Sequence, residues 1–352
     1  MEPLELVPGR YIGEGQPCFI IAEIGQNHQG CVETAKTLVR KAKESGADCV
    51  KLQKSCLSSK FTQAALDRPY EGPHALGPTY GEHKQKLELS EQQFREIQDY
   101  ATSINMPLTA SAMDAPSLDF LDAVNVPFIK IGSGDVCNLP LIRRAAATRR
   151  PLVISTGMSD FDWVRTVYQD LTDISPGTAL VLLQCTSSYP TPAHHAHLRV
   201  LDTYAQVFPR AHIGYSGHEE GIYISVAAAA RGARVLERHV TLSKDQQGSD
   251  HRCSLEPSQL RELVQAVRCV EAALGSPLKA LQPSEEACHR KLGKSVVAAR
   301  DLPSGHILTE EDMVVKVAEP PGASGMMFYS FVGRKLNKDV PIDGSILEED
   351  IS

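Results

Sequence analysis

The amino-acid sequence predicts an α/β fold, a (β/α)8 barrel followed by a small, mostly β module, and three observations predict it. Short apolar runs rich in β-branched residues alternate with longer segments of helical periodicity from residue 18 onward, the pattern of a parallel sheet covered by helices. There are eight such runs, the number that closes a small parallel barrel. Polar side chains follow nearly every run, where a parallel barrel carries its functional groups. The predicted strands are residues 18–25, 49–53, 107–113, 128–134, 151–157, 180–187, 212–218 and 235–242.

The segments between these strands have helical periodicity. TAKTLVRKAKESG, EQQFREIQDYATSI and IYISVAAAARG are amphipathic, and PSQLRELVQAVRCVEAALG supplies the eighth helix. Several of them end at Gly, as helix C-termini often do. The rival architecture is an open doubly wound sheet, which normally has a Gly-rich dinucleotide turn after its first strand. EIGQNHQG does not match G-x-G-x-x-G, so the barrel is favoured.

A long connection, residues 54–89, separates the second and third predicted strands and is rich in Pro, Gly and charge. Connections of this length are typical of lids or binding loops, and a disordered insertion is the alternative. Tyr70 and Tyr80 favour an ordered loop.

The pattern changes after Gly275. Residues 1–275 are predicted to form the barrel domain and residues 276–290 a linker. Residues 291–352 alternate short strands with turn signals, which indicates a small second module with little core of its own.

Composition excludes several classes of protein. The chain has 352 residues, of which 42% are hydrophobic and 22% charged, as in ordinary globular proteins. The net charge of -7 and the pI near 6.0 argue against nucleic-acid and anionic-membrane partners. Nine scattered cysteines without a C-x-x-C pair fit reduced thiols in the cytoplasm. Neither a signal peptide nor a membrane-spanning stretch is predicted.

Two histidines, His218 and His239, end the neighbouring seventh and eighth strands. Their side chains can point into one barrel mouth, and with Glu23 or Asp250 they would suit Mn²⁺, Fe²⁺, Co²⁺ or Zn²⁺. Each histidine alone is more often a structural residue, so the metal prediction depends on the pair.

Two lysines, Lys51 and Lys130, end the second and fourth strands, where burying an unpaired ammonium is costly. With Ser133 and the backbone amides of GSG they could hold a phosphate or carboxylate. A Schiff-base lysine and an ion pair with Glu23 or Asp135 are the alternatives.

The loop after the eighth strand, residues 241–256, is a further candidate, because many barrels build a phosphate or substrate site there. Asp250 is favoured over His251, and a turn is the alternative reading for both. His194, His195 and His197 lie in a Pro-rich connection without a carboxylate or cysteine partner, so they are predicted to form a solvated loop.

The chain resembles the N-acetylneuraminate (sialic acid) synthase family, especially its animal members, which are phosphate synthases. The motifs include IIAEIGQNHQG, KLQKS, TYGEHK, FIKIGSGD, VISTGM, LQCTSSYP, GYSGHE, ERHVTL and GSDHRCSLEP. From about Lys291 the chain is similar to the antifreeze-like (SAF) domain of these synthases. The resemblance covers nearly the full length.

The resemblance implies condensation of phosphoenolpyruvate with open-chain N-acetylmannosamine or its 6-phosphate, with C–O cleavage and release of phosphate. His218 and His239 match the metal ligands, with Mn²⁺ or Mg²⁺ expected, and Glu23 matches a general acid/base. The positions that match the phosphoenolpyruvate site are Lys51, Thr109, Lys130, Ser133, Ser187 and Ser216. Those that match the sugar site are Gln53, Asp135, Tyr189, Glu237 and Asp250.

The family also implies a homodimer in which the antifreeze-like domain of one subunit covers the barrel mouth of the other, and Lys316 is the cation nearest to the expected contact. Lys54, Lys60, Arg68 and Lys84 are candidate anchors for a sugar 6-phosphate. Three alternatives stay open: the unphosphorylated sugar, another aldose such as mannose 6-phosphate (which would give KDN 9-phosphate), and a non-catalytic carbohydrate- or ice-binding protein.

Overall fold

A computed structural model describes residues 1–352. The chain divides into two compact units, Met1–Gly275 and Ser276–Ser352.

The first unit is the predicted barrel. Its eight parallel strands are β3 (Phe19–Gly25), β4 (Cys49–Lys54), β5 (Leu108–Ala112), β6 (Ile129–Ile131), β7 (Leu152–Ser155), β8 (Leu180–Cys185), β9 (Ala211–Gly217) and β10 (Val235–His239). They close in the order β10-β3-β4-β5-β6-β7-β8-β9, which confirms the barrel and rules out the open sheet. Closure rests on the pairing of β10 with β3, in which His239 lies beside Glu23.

Helices surround the strands. The main ones are α1 (Val32–Ser45), α5 (Glu91–Ser103), α6 (Ala115–Ala123), α7 (Leu139–Ala147), α8 (Phe161–Ile174), α9 (Val200–Val207), α10 (Tyr223–Ala230) and α11 (Pro257–Leu274). Several of these helices begin at a capping side chain. Asp114, Asn138 and Asp160 accept a backbone N–H at the starts of α6, α7 and α8. Such caps satisfy amide groups that have no partner inside the helix.

The core has two layers because successive strand residues point to opposite faces. Phe19 and Ile21 belong to the cluster inside the barrel, whereas Ile20 and Ala22 belong to the layer between strands and helices. A hairpin that the sequence did not predict, β1 (Leu4–Val7) and β2 (Arg10–Ile12), adds Leu6, Val7 and Ile12 to the inner cluster. It therefore extends the barrel core.

The long connection is ordered, so the alternative of a disordered insertion is wrong. It contains α2 (Leu57–Lys60), α3 (Gln63–Asp67) and α4 (Tyr80–Leu87). The Gln247 side chain, in the loop after β10, donates to the carbonyl of Pro73 at 2.8 Å. The Gly248 amide donates to Nδ1 of His74 at 3.2 Å. These bonds join segments that are far apart in sequence.

The second unit is small and contains α12 (Glu286–Leu292), β11 (Ser295–Ala298), β12 (Met313–Lys316) and α13 (Phe328–Phe331). The two strands pair antiparallel. Its separate core includes Val296, Leu308, Phe331 and Ile346.

No helix in either unit has the length and apolar character needed to cross a bilayer.

Candidate active site

A cavity of about 290 Å³ opens at the carboxyl ends of the barrel strands. Successive side chains of a strand point to opposite faces, so every second residue near the carboxyl end of a strand can face this mouth. Its lining includes Glu23, Lys51, Gln53, Lys60, Ser111, Lys130, Ser133, Asp135, Ser155, Cys185, Ser187, Tyr189, Ser216, His218, Glu237 and His239. The structure thus brings together most of the residues that the sequence singled out.

Two buried lysines form the floor. The Lys51 ammonium lies 2.7 Å from Oε2 of Glu23 and donates to Ser111 Oγ at 2.9 Å. The Lys130 ammonium donates to Ser155 Oγ at 2.8 Å. Both ammonium groups lie 3.7 Å from Oε1 of Glu237. The ion-pair alternative therefore holds for Lys51 and Glu23, while Asp135 makes no ion pair with Lys130.

The two carboxyl groups beside these lysines, Glu23 and Glu237, have pKa values that are shifted in opposite directions. Burial raises the pKa of Glu23 to about 7, even though Lys51 opposes the shift, and the nearby Glu237 raises it further. Burial disfavours the charge of Glu237 as well, but Lys130 and Lys51 outweigh this and lower its pKa. Because two carboxylates share Lys51, Glu237 keeps its charge and Glu23 exchanges a proton near neutrality.

His218 and His239 lie side by side at the mouth, with ring centroids 5.3 Å apart. Nδ1 of His218 is 3.0 Å from the carbonyl oxygen of Thr186, so Nδ1 donates and Nε2 keeps its lone pair. Nδ1 of His239 is buried without a hydrogen-bond partner and lies 3.8 Å from the Asp250 carboxylate. Burial lowers the pKa of His239, which favours the neutral imidazole.

This donor set fits a divalent ion with open coordination positions. No group of three or more metal-ligating side chains has already converged at one point, so water and substrate would complete the shell. The unpartnered Nδ1 of His239 is the observation that favours a ligand, because a buried polar atom without a partner is costly. Two imidazoles with a carboxylate nearby suit the transition metals considered above.

Apart from Asp250, five sequence candidates lie outside the cavity lining, and one of them, Lys84 on α4, donates to Oε1 of Gln26 at 2.9 Å. Thr109 is buried and donates to the carbonyl of Phe128 at 2.6 Å, so it does not line the cavity, and Ser111, two residues on, does. Lys54 points away from the mouth and pairs with Glu88 at 2.5 Å, because it alternates with Gln53 along β4. Arg68 is exposed and lies over the Tyr80 ring. Lys316 lies in the second unit, paired with Asp343.

The loop candidates also separate. Asp250 lines a smaller pocket beside the main cavity and reaches the site through His239. Nδ1 of His251 is hydrogen-bonded to Oγ1 of Thr241 at 2.8 Å within the same loop. His194, His195 and His197 are exposed, as a solvated loop would be.

Some residues of the cavity wall were not singled out from the sequence. Ser155 and Cys185 end strands β7 and β8, so the strand-end rule could have found both. Gly157, which lies behind the wall, had no such signal: its amide donates to Ser133 Oγ at 3.0 Å, and a Cβ there would lie 2.3 Å from Ser187 Oγ. Only glycine fits between these two serines.

A second missed pair lies behind the site. Arg238, fully buried, donates to Oε1 of Glu219 at 2.8 Å and to the backbone carbonyl of Glu219 at 2.6 Å. It stands between Glu237 and His239 on β10 but faces the helices. It therefore holds the loop after β9, which carries His218, against β10.

Larger openings exist, such as one of about 670 Å³ at the amino ends of the strands. Its wall includes only Glu5 and Arg150 as charged side chains. Converging titratable groups rather than volume mark the functional cavity.

A closed parallel barrel with ammonium, carboxylate and imidazole groups converging at the carboxyl ends of its strands is a (β/α)8-barrel enzyme. Comparison with known proteins defines it further. The NeuB family matches residues 38–279 and the SAF domain matches residues 293–352. The chain belongs to the NeuB family and carries a C-terminal SAF domain.

Similar proteins cover almost the full length. The chain is 53% identical over 346 residues to N-acetylneuraminate-9-phosphate synthase of Homo sapiens, covering 98% of this chain and 96% of that protein. It is 47% identical over 356 residues to N-acetylneuraminate-9-phosphate synthase of Drosophila melanogaster, covering 95% of each. Among solved structures, N-acetylneuraminic acid (sialic acid) synthetase of Leptospira borgpetersenii, in complex with citrate, has a TM-score of 0.71 at 27% identity, covering 81% of this chain and 94% of that chain.

Proposed function

We propose that the chain condenses phosphoenolpyruvate with N-acetylmannosamine 6-phosphate and water, giving N-acetylneuraminate 9-phosphate and inorganic phosphate in a metal-dependent reaction. One observation carries the proposal: a single cavity contains two buried lysines, a carboxyl group with pKa about 7 and a pair of histidines. The similarity to N-acetylneuraminate-9-phosphate synthases supports the choice of substrates.

Phosphoenolpyruvate binds on the lysine floor. Its carboxylate and phosphate would accept charge-assisted hydrogen bonds from Lys51 and Lys130, of which Lys130 has only the more distant Glu237 as a carboxylate partner. Ser133, Ser187 and Ser216 add hydroxyl groups around it. Ser187 Oγ is buried without a partner, which favours a ligand acceptor there.

Glu23 acts as the general base and the general acid of the reaction. Lys51 and the Gln53 amide, which donates to Oε1 at 3.2 Å, fix its carboxyl group. A group with pKa about 7 gives and takes a proton with little cost at neutral pH. We assign Glu23 the deprotonation of the water that adds to the former enol carbon and the protonation of the oxygen formed from the aldehyde.

His218 and His239 face the aldehyde end of the sugar. A divalent ion held there, with Mn²⁺ or Mg²⁺ expected, would polarise the aldehyde as a Lewis acid. Gln53, Asp135, Tyr189 and Glu237 line the remaining wall and supply hydrogen bonds for the sugar, and Asp250, whose carboxylate lies 3.8 Å from Nδ1 of His239, faces the sugar from the adjoining loop.

We also propose that two copies associate, with the SAF domain of one covering the barrel mouth of the other and Lys316 near the contact. Met158, 72% exposed, and Tyr189, 46% exposed, stand at the cavity, and a cover would remove these apolar groups from water. Sedimentation equilibrium tests the dimer, and a monomer at micromolar concentration would refute it.

The reaction is tested by phosphate release from phosphoenolpyruvate in metal-stripped protein, with and without Mn²⁺ or Mg²⁺. The aldehydes offered are N-acetylmannosamine, its 6-phosphate and mannose 6-phosphate. Release that needs both the metal and N-acetylmannosamine 6-phosphate is expected. Release with the free sugar alone would retain the synthase and refute the phosphorylated substrate, and mannose 6-phosphate reports on KDN 9-phosphate formation. No release with any aldehyde would refute the reaction.

A further inference from the structure

We infer that Lys60 and Lys84, rather than Lys54 or Arg68, form the anion subsite that binds the phosphate of the sugar. This inference rests on the proposed function for the identity of the anion. The lysines themselves are assigned from their contacts.

Lys60 has no carboxylate within ion-pair distance, although Asp135, Asp114 and Glu88 lie near enough to attract its charge. It is the last residue of α2, lines the cavity and is half-buried. Its ammonium has one hydrogen-bond acceptor, the Met113 thioether at 2.7 Å, and a thioether is a weak acceptor. It makes no ion pair with any carboxylate, and burial lowers its pKa. An ammonium so placed gains from an incoming anion.

Lys84, on α4, lies outside the cavity lining but likewise has no carboxylate within ion-pair distance. It is half-buried, and its ammonium donates to a neutral acceptor, Oε1 of Gln26, at 2.9 Å. It too makes no ion pair. Burial lowers its pKa and the charge of Lys60 lowers it further, while the carboxylates of Asp250 and Glu88 oppose the shift.

An aromatic wall connects them. The rings of Phe61 and Tyr80 meet edge to face with centroids 5.4 Å apart. The Lys60 ammonium lies 5.2 Å from the centroid of Phe61 and the Lys84 ammonium 5.5 Å from that of Tyr80. A phosphate monoester, with a charge between about -1.5 and -2 at neutral pH, would neutralise both ammonium groups at once. A neutral hydroxyl would leave the repulsion in place.

The other two candidate cations, Lys54 and Arg68, are less suited to bind an added anion. Lys54 is neutralised by Glu88 and also donates to the carbonyl of Leu89 at 3.0 Å. Arg68 is exposed, and its guanidinium lies 4.1 Å from the centroid of Tyr80. Arg68 thus fixes the ring that borders the subsite.

The test uses Lys60→Gln, Lys84→Gln and the matched control Lys86→Gln. Lys86 lies on the same helix as Lys84 but is exposed and contacts only the carbonyl of Leu76. Calorimetry on the metal-stripped full chain, saturated with phosphoenolpyruvate, would measure binding of N-acetylmannosamine 6-phosphate and of N-acetylmannosamine. Steady-state kinetics of the metal-loaded chain would give KM and kcat for both sugars.

Each of the two variants should bind the 6-phosphate at least about tenfold more weakly, because each loses a charge-assisted contact. Binding of the free sugar and the KM for phosphoenolpyruvate should not change, and Lys86→Gln should match the unmodified chain. Equal losses for both sugars, or no loss for the 6-phosphate, would overturn the inference.

The kinetics separate this inference from the proposed function. Lysine-dependent binding of the 6-phosphate without turnover would keep the subsite and refute the reaction. Turnover of the 6-phosphate that ignores both lysines would keep the reaction and refute the subsite.

Discussion

Glu23 owes its chemistry to its neighbours more than to its own type. It is 1% exposed, it shares Lys51 with Glu237, and burial of the group holds its pKa near 7. The same residue on the surface would be ionised at neutral pH and a poor proton donor. Two carboxylates of identical type in one cavity therefore have different tasks.

Replacing Glu23 by Gln tests this division. The amide keeps the shape but cannot transfer a proton, so kcat should fall by about 10²–10⁴-fold. The KM for phosphoenolpyruvate should change little, because Lys130 and the serines remain. Steady-state phosphate release measures both constants. A variant that keeps most of its kcat would remove Glu23 from proton transfer.

Replacing His218 by Ala tests the proposed metal site. Turnover should drop by about 10³-fold or more, because polarisation of the aldehyde supplies several kcal/mol. Calorimetric titration with Mn²⁺ should show weaker binding, while the thermal unfolding temperature should stay nearly the same, since the residue is at the barrel mouth. His195→Ala, in the exposed loop, is the control and should match the unmodified chain. Loss of folding in His218→Ala would make this histidine structural.

Strand ends predicted the site residues well because a parallel barrel sends every carboxyl end to one mouth. The position of a strand end alone could not show which inward-facing side chain of that strand reaches the cavity. Thr109 and Ser111 both face inward from β5, and only depth along the strand separates the satisfied hydroxyl from the one in the cavity. The choice between Lys54 and Lys60 depended on a counter-ion, Glu88, far along the sequence.

At the scale of elements, the barrel was predictable and its connections were less so. Buried strands give apolar runs that are visible in the sequence, and the eight predicted runs overlap the observed strands. The hairpin β1–β2 was missed because it lies before residue 18, where the alternation of apolar runs and helical segments begins. Order in the long connection comes from bonds such as Gln247 to Pro73, which local patterns cannot show.

The barrel interior tolerates no added volume where strands approach closely. A Cβ on Gly214 in β9 would lie 2.4 Å from the Val235 carbonyl oxygen and 2.5 Å from Leu183 Cδ2. Gly214→Ala should lower the free energy of unfolding by about 1–3 kcal/mol. Urea denaturation followed by circular dichroism measures it. Gly177→Ala, where nothing lies within 4 Å, is the control, and equal stabilities would contradict the prediction.

The molecule as a whole has two units with separate cores, and each can respond separately to its surroundings. The second unit contains two buried carboxylates, Asp312 and Asp350. Asp312 is 1% exposed and accepts hydrogen bonds from His306 at 2.7 Å, from the Thr309 amide at 2.9 Å and from Arg300 at 2.9 Å. Burial opposes its charge, yet these donors outweigh burial and hold its pKa well below the usual range.

Acid should therefore loosen the second unit. A carboxylate with a lowered pKa stabilises the fold above the pKa of the unfolded chain, about 3.9, and this contribution is lost as pH falls below that value. Asp312→Asn should destabilise the unit by about 1.5–3 kcal/mol near neutral pH. Hydrogen exchange of β11 and β12 in the full chain measures the difference.

The difference between Asp312→Asn and the unmodified chain should shrink below about pH 4, because protonation imitates the substitution. An equal difference at neutral and acidic pH would show that the side chain matters for its shape alone. His306, Arg300 and Thr309 are the groups that face the carboxylate.

The alternation along β10 has a consequence for how the chain reaches its native state. Glu237 and His239 face the cavity, and Arg238 between them is fully buried on the opposite side against Glu219. A slip of one residue would move all three side chains to the wrong faces. It would leave the guanidinium inside the barrel without Glu219, and an unpaired buried charge costs several kcal/mol. A shifted register of β10 is therefore energetically unfavourable. A barrel that closes thus has Glu237 and His239 facing the cavity.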